Sequence, residues 1–156
     1  MKNEPTLNVF IIEDNALYAS ALKQFLFNQF AKSNFRFTIQ SFKTSESCME
    51  WLDYFDDVKP DIIVLDYFLD SNLGYSINGL SALFPLKHLN PKLKAIFLSG
   101  QPTIEIAVEA MRMGAYEYIE KNDLAFQKVW ATIQNCLDES KQRDKYLIKN
   151  KQSSWV

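Results

Sequence analysis

Four apolar stretches of the sequence each end in polar residues that are able to take part in chemistry. An acid pair closes the first stretch, a single acid the second, a hydroxyl the third and a lysine the fourth. Taken singly, an acid after an apolar run is more often a turn residue or a helix cap than a reactive group. The ordered combination is much harder to explain in that way. It makes the following residues the candidate site: Glu13, Asp14, Asp66, Ser99 and Lys121.

Together these residue types suit the transfer of a phosphoryl group. Two or three carboxylates in one pocket repel each other unless a cation balances them, and hard oxygen ligands of this kind suit Mg²⁺. A carboxylate beside such a metal can attack phosphorus and form an aspartyl phosphate. The metal, a lysine ammonium and a hydroxyl donor can then stabilise the charge on the phosphoryl oxygens. The sequence supplies each of these groups.

The elements that must position these residues alternate between strand and helix. The apolar run at 61–65 shows no polar alternation, which is typical of a strand covered on both faces in a parallel sheet. Strands are predicted at 7–12, 35–39, 61–65, 93–98 and 115–119, each followed by a helix. Five β–α units in strict alternation predict an α/β fold with a doubly wound, five-stranded parallel sheet. In such a sheet the strand ends that carry the candidate residues meet at one edge.

The spacing of apolar residues also predicts which face of each helix is buried. The fourth helix is expected to begin near Pro102, to carry Ile104, Val108 and Met111 inward and to end at Gly114. The other expected faces are Leu17, Ala21, Leu22, Phe25 and Leu26 in the first helix, Cys48, Trp51, Leu52 and Phe55 in the second, and Phe126, Val129, Trp130, Ile133 and Leu137 in the last.

Length and composition narrow the function classes. The 156 residues are 47% hydrophobic and 23% charged, with a formal net charge of −2, which predicts one globular domain. This balance gives no general attraction to nucleic acid or to an anionic membrane, and no apolar run is long enough to cross a bilayer. The two cysteines have neither metal-ligand spacing nor the density of a disulfide scaffold, so we expect a cytoplasmic protein.

Several segments resemble the receiver domain of bacterial response regulators, which act in two-component phosphorelay signalling. The resemblance covers residues 7–137 and implies the flavodoxin-like (βα)5 fold of chemotaxis-Y-like receivers. It also implies a signalling phosphoacceptor rather than an enzyme, with self-phosphorylation and slow autodephosphorylation only. The segments that carry it are Glu13-Asp14-Asn15, Asp61-Ile62-Ile63-Val64-Leu65-Asp66, Asn78-Gly79-Leu80, Ser99-Gly100, and the run from Met113 to Lys121.

For the acid residues the resemblance implies an acceptor and a metal site. Asp66 would be the phosphoacceptor. Asp14 would bind Mg²⁺ directly, and Glu13 would hold it partly through water. Asp66 would lend the metal one oxygen, and Phe68 its backbone carbonyl.

For the remaining site residues the resemblance implies a switch. Ser99 would hydrogen-bond the phosphoryl group, and Lys121 would pair with it. Tyr118 takes the position of the switch aromatic, which turns inward when the hydroxyl residue moves to the phosphate, and Gly100 keeps that path open. The family signals through the face of its fourth helix, fifth strand and fifth helix, here about 102–137.

The sequence departs from the family at three places within this region. The loop from Asp66 to Gly79 is longer than usual, which fits either a tolerated surface insertion or a determinant of partner choice. Asn122 follows Lys121 in place of the usual proline, so whether that peptide bond is cis stays open. Phe68 is large and apolar where a smaller or polar residue is common. We hypothesise that it slows attack by water on the acyl phosphate.

The resemblance implies a histidine kinase or a histidine phosphotransfer protein as the phosphate donor. The output would be an unknown partner protein or a C-terminal output domain of a longer protein, and a phosphorylation-dependent dimer fits the same scheme. Residues 1–137 would be the receiver, and 138–156 a basic helical extension or the start of an interdomain linker, with a dimerisation or partner helix as the alternative. No helix-turn-helix module follows, so we expect no direct contact with DNA.

Two other functions remain open at this point. The first is a pseudo-receiver, a protein-binding scaffold on the same fold that takes no phosphate. The second is a phosphohydrolase that works through an aspartyl phosphate. Such an enzyme needs a further acid–base group near the nucleophile, and Phe68 at the second position after Asp66 speaks against it.

Overall fold

The computed structural model describes residues 6–69 and 79–153, and within them strands and helices alternate along the chain. The strands are β1 (Leu7–Ile12), β2 (Phe37–Phe42), β3 (Ile62–Asp66), β4 (Lys94–Ser99) and β5 (Glu117–Glu120). The helices are α1 (Ala16–Phe30), α2 (Ser45–Tyr54), α3 (Leu80–Leu89), α4 (Ile104–Arg112) and α5 (Ala125–Ser153).

The five strands form one parallel sheet in the order β2-β1-β3-β4-β5. Val9 of β1 lies opposite Ile62 of β3, and Ile63 of β3 lies opposite Ala95 of β4. The chain thus moves outward from β1 to one edge and then to the other. This order confirms the predicted doubly wound sheet and places the switch in direction between β1 and β3.

The central strands are buried on both faces because helices cover both sides of the sheet. Residues at alternating positions, such as Val9 and Ile11, pack with α1 and α5, whereas Phe10 and Ile12 pack with α2, α3 and α4. This two-sided burial is the physical reason that the sequence of β3 reads as an unbroken apolar run.

Polar side chains fix the start of several helices. Asn15 accepts the backbone N–H of Tyr18 at 3.0 Å and caps α1. Thr103 accepts the backbone N–H of Ile106 at 3.3 Å and caps α4. Gly114 follows α4 with a φ of 92°, which confirms the predicted helix end, because this left-handed conformation favours glycine.

The predicted inward face of α4 is wrong. Ile104 is 80% exposed and Val108 and Met111 also face solvent, whereas Ala110 is buried and Ile106 is half-buried against the core. Apolar residues cover more than half of the circumference of this short helix, with its charged residues on the remaining side, so spacing alone does not identify which apolar residues meet the sheet. The small side chain of Ala110 allows α4 to lie close to the sheet, while Ile104, Val108 and Met111 remain on the outside.

Smaller differences concern the other helices and one strand. Leu17 and Ala21 of α1 are exposed because the buried stripe runs through Ala19, Leu22, Leu26 and Phe30. Phe55 lies beyond the end of α2 and is half-exposed, although its ring stacks on Trp51. The predicted second strand is displaced by two to three residues. The expected stripe of α5 is confirmed, with Val129 and Ile133 fully buried.

Three further observations concern features that the sequence left open. The described residues contain no cis peptide bond, so Lys121 and Asn122 are joined in trans. The residues that lengthen the loop, Asp70, Ser71, Asn72 and Tyr75, lie outside the described ranges, as does Asn78 of the matching motif. No helix in the part of the chain that the structure describes is both long and apolar enough to cross a bilayer.

Candidate functional site

The candidate residues meet at the carboxyl edge of the sheet because backbone hydrogen bonds continue beyond the strand ends. The N–H of Glu13, just after β1, donates to Phe42 of β2 at 3.0 Å. The N–H of Lys121, just after β5, donates to the carbonyl of Ser99 at the end of β4 at 2.8 Å. Asp66 is the last residue of β3, between these pairs in the sheet order. The predicted convergence of strand ends is present in the structure.

Lys121 lies between two buried carboxylates. Its Nζ is 2.6 Å from Oε2 of Glu13 and 2.8 Å from Oδ2 of Asp66. The second oxygen of Asp66 accepts the backbone N–H of Phe68 at 3.1 Å, and the second oxygen of Glu13 accepts that of Asn15 at 3.0 Å. Each carboxylate is therefore oriented by one backbone donor and one shared cation.

Asp14 completes an acidic cluster with these two residues. One carboxylate oxygen from each of Glu13, Asp14 and Asp66 lies within 4.8 Å of the others. Glu13 and Asp66 are buried, at 3% and 5% exposure, while Asp14 is partly exposed. One ammonium cannot balance three ionised carboxylates, so the site has the charge and the oxygen donors that suit a divalent cation.

Burial sets the electrostatics of the ion pair. It raises the pKa of the Glu13 carboxyl to about 7, and the charge of Asp66 adds to the rise, although the hydrogen bond from Lys121 acts against it. Burial alone would lower the pKa of Lys121, but its contacts with Asp66 and Glu13 outweigh that effect and the pKa is raised. Lys121 therefore stays charged while it faces the acids.

Ser99 and Tyr118 lie on the two neighbouring strands next to this cluster. Ser99 is fully buried, and its Oγ accepts the backbone N–H of Gln101 at 3.2 Å. Tyr118 is half-buried and packs against the core on the side of α2, α3 and α4, and its buried hydroxyl has no hydrogen-bond partner among the described residues. A rotation of Tyr118 thus breaks no hydrogen bond of its hydroxyl.

Phe68 is 42% exposed, and its ring packs edge-to-face with that of Tyr67, with centroids 4.8 Å apart.

Two contacts at this edge were not predicted as part of the site. Gly79 donates its N–H to the carbonyl of Tyr67 at 2.8 Å, and a Cβ at Gly79 would collide with the backbone carbonyl oxygen of Asp66. The hydroxyl of Tyr67 donates to Glu109 of α4 at 3.2 Å and links the end of β3 to that helix. Only the glycine in the Asn78-Gly79-Leu80 motif gave a sequence signal for either contact.

A third contact that was not predicted involves Tyr18 of α1. Its ring lies under Nζ of Lys121, at 4.6 Å from the centroid. The spacing of Tyr18 marks it only as a residue near the start of a helix, so the sequence gave no signal for this contact.

The fold and the acidic site at the sheet edge agree with a receiver domain, and comparison with known proteins shows the family. The family described as "Response regulator receiver domain" matches residues 9–134. The chain therefore belongs to the response regulator receiver domain family, whose members act in two-component signalling. Members are signalling phosphoacceptors rather than classical enzymes, and they generally bind Mg²⁺ at such an acidic pocket.

Individual relatives show the same family. A putative NtrX-like response regulator of Rickettsia conorii is 34% identical over 119 residues, which is 74% of this chain and 22% of that protein. This chain thus spans about a fifth of the length of that relative.

Solved structures show the same fold. A CheY-like receiver domain protein from Methanospirillum hungatei superposes with a TM-score of 0.68 at 21% identity, over 89% of this chain and 99% of that one. A response regulator protein from Burkholderia pseudomallei, whose structure holds a phosphorylated aspartic acid, a calcium ion and citrate, has a TM-score of 0.62 at 25% identity. That match covers 88% of this chain and 72% of the other.

Proposed function

We propose that this receiver accepts a phosphoryl group on Asp66 from a histidine kinase or a histidine phosphotransfer protein. The observation that carries the proposal is the position of Asp66: a buried carboxylate at the end of β3, 2.8 Å from the Lys121 ammonium and within a cluster of three acids. The Burkholderia pseudomallei relative, which carries a phosphorylated aspartic acid, supports the same chemistry.

In the transfer step a carboxylate oxygen of Asp66 attacks phosphorus of the donor phosphohistidine. The new O–P bond forms as the N–P bond breaks, and the imidazole nitrogen leaves with the bonding electron pair and takes up a proton from solvent. The carboxylate charge of Asp66 is consumed, so Lys121 becomes free to pair with the phosphoryl oxygens. The buried hydroxyl of Ser99 would donate to another of those oxygens.

A divalent cation fits the acidic cluster, and we propose Mg²⁺. Glu13, Asp14 and Asp66 would hold it together with the backbone carbonyl of Phe68. When bound, the metal neutralises charge on the phosphoryl oxygens and allows the three carboxylates to remain ionised together. Hydrolysis of the acyl phosphate, which restores the Asp66 carboxylate and releases inorganic phosphate, would be slow without a further acid–base group.

The proposed signalling face comprises α4, β5 and the first turns of α5. Movement of Ser99 towards the phosphate and rotation of Tyr118 would shift an existing equilibrium between two states of this face. The exposed apolar residues Ile104, Val108 and Met111 on α4 support a role in partner binding, because they cluster on one short helix. The partner would be an output protein, an output domain of a longer chain or a second receiver.

We propose a cytoplasmic location, consistent with two buried, unpaired cysteines.

The experiment that tests the acceptor is intact mass spectrometry after incubation with acetyl phosphate and Mg²⁺. We expect one phosphoryl adduct, which is lost on Asp66→Asn and in the absence of metal. Asp56→Asn, at an exposed position after α2, is a matched control that should retain the adduct. If the adduct persists in Asp66→Asn, the acceptor is another residue. If no adduct forms even with a phosphorylated histidine kinase as donor, the pseudo-receiver function is favoured.

The exposed ring of Phe68 keeps its proposed role as a barrier to water. Because the side chain stands at the second position after Asp66 and packs only partly, on Tyr67, Phe68→Asn should speed hydrolysis of the phosphoryl group. The rate is measured by the decay of the mass adduct after removal of acetyl phosphate. An unchanged decay rate would contradict this role.

A further inference from the structure

The ammonium of Lys121 is enclosed on three sides. Glu13 and Asp66 contact it at 2.6 and 2.8 Å, and the face of the Tyr18 ring lies 4.6 Å from Nζ. The lysine side chain is only 17% exposed. The ring also packs against Phe126 of α5 in an edge arrangement, with centroids 5.2 Å apart.

The aromatic contact differs from the ionic contact with Asp66 in one respect. Phosphorylation of Asp66 consumes the carboxylate charge that attracts Lys121 from that side, whereas the ring, like the Glu13 carboxylate, remains unchanged throughout the reaction. A lysine side chain is flexible, and holding it in one place costs rotamer entropy. A ring that already lies against the ammonium reduces that cost before and after the transfer.

The surroundings of the Tyr18 hydroxyl indicate that the aromatic ring, and not the hydroxyl, is the functional part of this side chain. It is buried and has no hydrogen-bond partner among the described residues, which is unfavourable for folding. A phenylalanine in this position would keep the ring contact without that cost.

We propose that Tyr18 is a positioning residue, which holds Lys121 towards Asp66 through the face of its ring. This inference rests on the proposed phosphorylation of Asp66. It assigns to α1 a part in the site that the strand ends alone do not provide.

The test compares two substitutions of the same residue. Tyr18→Leu removes the aromatic face, and Tyr18→Phe keeps it. We expect Tyr18→Leu to lower the rate of phosphorylation by acetyl phosphate about two- to thirtyfold, which is the range of cation–π contacts. We expect Tyr18→Phe to retain the wild-type rate, and urea unfolding shows whether each variant is folded.

A matched control is available at the opposite edge of the sheet. There Nζ of Lys94 lies 4.3 Å from the ring centroid of Tyr116. This is a cation–aromatic pair of the same kind, but it is remote from the acidic cluster of Glu13, Asp14 and Asp66. Tyr116→Leu should leave the phosphorylation rate unchanged.

A second readout separates positioning from general stability and does not depend on phosphorylation. The Cε protons of Lys121 should show an upfield ring-current shift in the NMR spectrum, retained in Tyr18→Phe and lost in Tyr18→Leu. Absence of that shift from the wild-type protein overturns the inference. Equal loss of rate in both variants also overturns it, because the hydroxyl would then be the active group. A wild-type protein that shows the shift but accepts no phosphate would refute the proposed function and leave the ring contact standing.

Discussion

The collision expected at Gly79 gives a test of how tightly the site is packed. A Cβ at this position would overlap the backbone carbonyl oxygen of Asp66 and would lie 3.0 Å from Leu65 and 3.2 Å from Phe97. Asp66 and Phe97 belong to neighbouring central strands, so neither can retreat without distortion of the sheet. We therefore expect Gly79→Ala to destabilise the protein.

The magnitude follows from two opposing effects. Overpacking of a rigid core costs about 1–3 kcal/mol. Gly79 has a φ of −54°, which alanine adopts without strain. Because alanine has less conformational freedom than glycine in the unfolded chain, the substitution also stabilises the folded state by about 0.4–1 kcal/mol. The midpoints of the two ranges leave a net loss of about 1.3 kcal/mol, or a Tm lower by roughly 3–5 °C in a chain of this size.

The assay is urea and thermal unfolding of the metal-free protein, followed by circular dichroism. Gly100→Ala is the matched control, because no heavy atom lies within 4 Å of a Cβ at that position. It should leave stability unchanged or raise it slightly. If Gly79→Ala is as stable as Gly100→Ala, the close approach between α3 and Asp66 does not exist in solution and the reasoning fails.

Three further predictions concern other parts of the chain. Tyr118→Ala should weaken activation of the output while phosphorylation of the protein is retained, and equal loss of both would refute the switch role. Tyr116→Phe removes the 2.7 Å hydrogen bond to Glu139 and should lower the free energy of urea unfolding by about 0.5–1 kcal/mol, because the hydrogen bond is exposed to solvent. A much larger decrease would contradict a weak, solvent-screened contact. Burial raises the pKa of Cys48 to about 12 and that of Cys136 to about 11, so little thiolate exists at pH 8. Iodoacetamide should therefore label the native protein on the order of a hundredfold more slowly than the urea-unfolded chain, and fast native labelling would contradict the burial.

The sheet could be predicted well because the pattern that marks each strand lies within a few consecutive residues of the sequence. Strands covered on both faces appear as unbroken apolar runs, and their ends locate Glu13, Asp66 and Lys121 at one edge once the strands are parallel. The displacement of β2 shows the limit of this reasoning. Alternation marks Phe35 as a strand residue, but pairing with β1 begins at Phe37, opposite Leu7.

The parts that could not be predicted depend on contacts between distant elements. The inward face of α4 is set by which side chain fits beneath the helix, and Ala110 does so where Val108 does not. Gly79 and Tyr18 belong to the starts of helices, not to strand ends. Their proximity to the acid cluster follows from how α1 and α3 dock on the sheet, which no periodicity records.

The outer strand β5 has a consequence for how this receiver can associate. It is only four residues long, and two of them, Glu117 and Glu120, are exposed glutamates. A short, negatively charged border discourages another chain from extending the sheet by backbone pairing, the route that leads to aggregation. Any assembly across this side must then rely on side chains of the flanking helices. Such contacts can be made and released without disturbing the sheet.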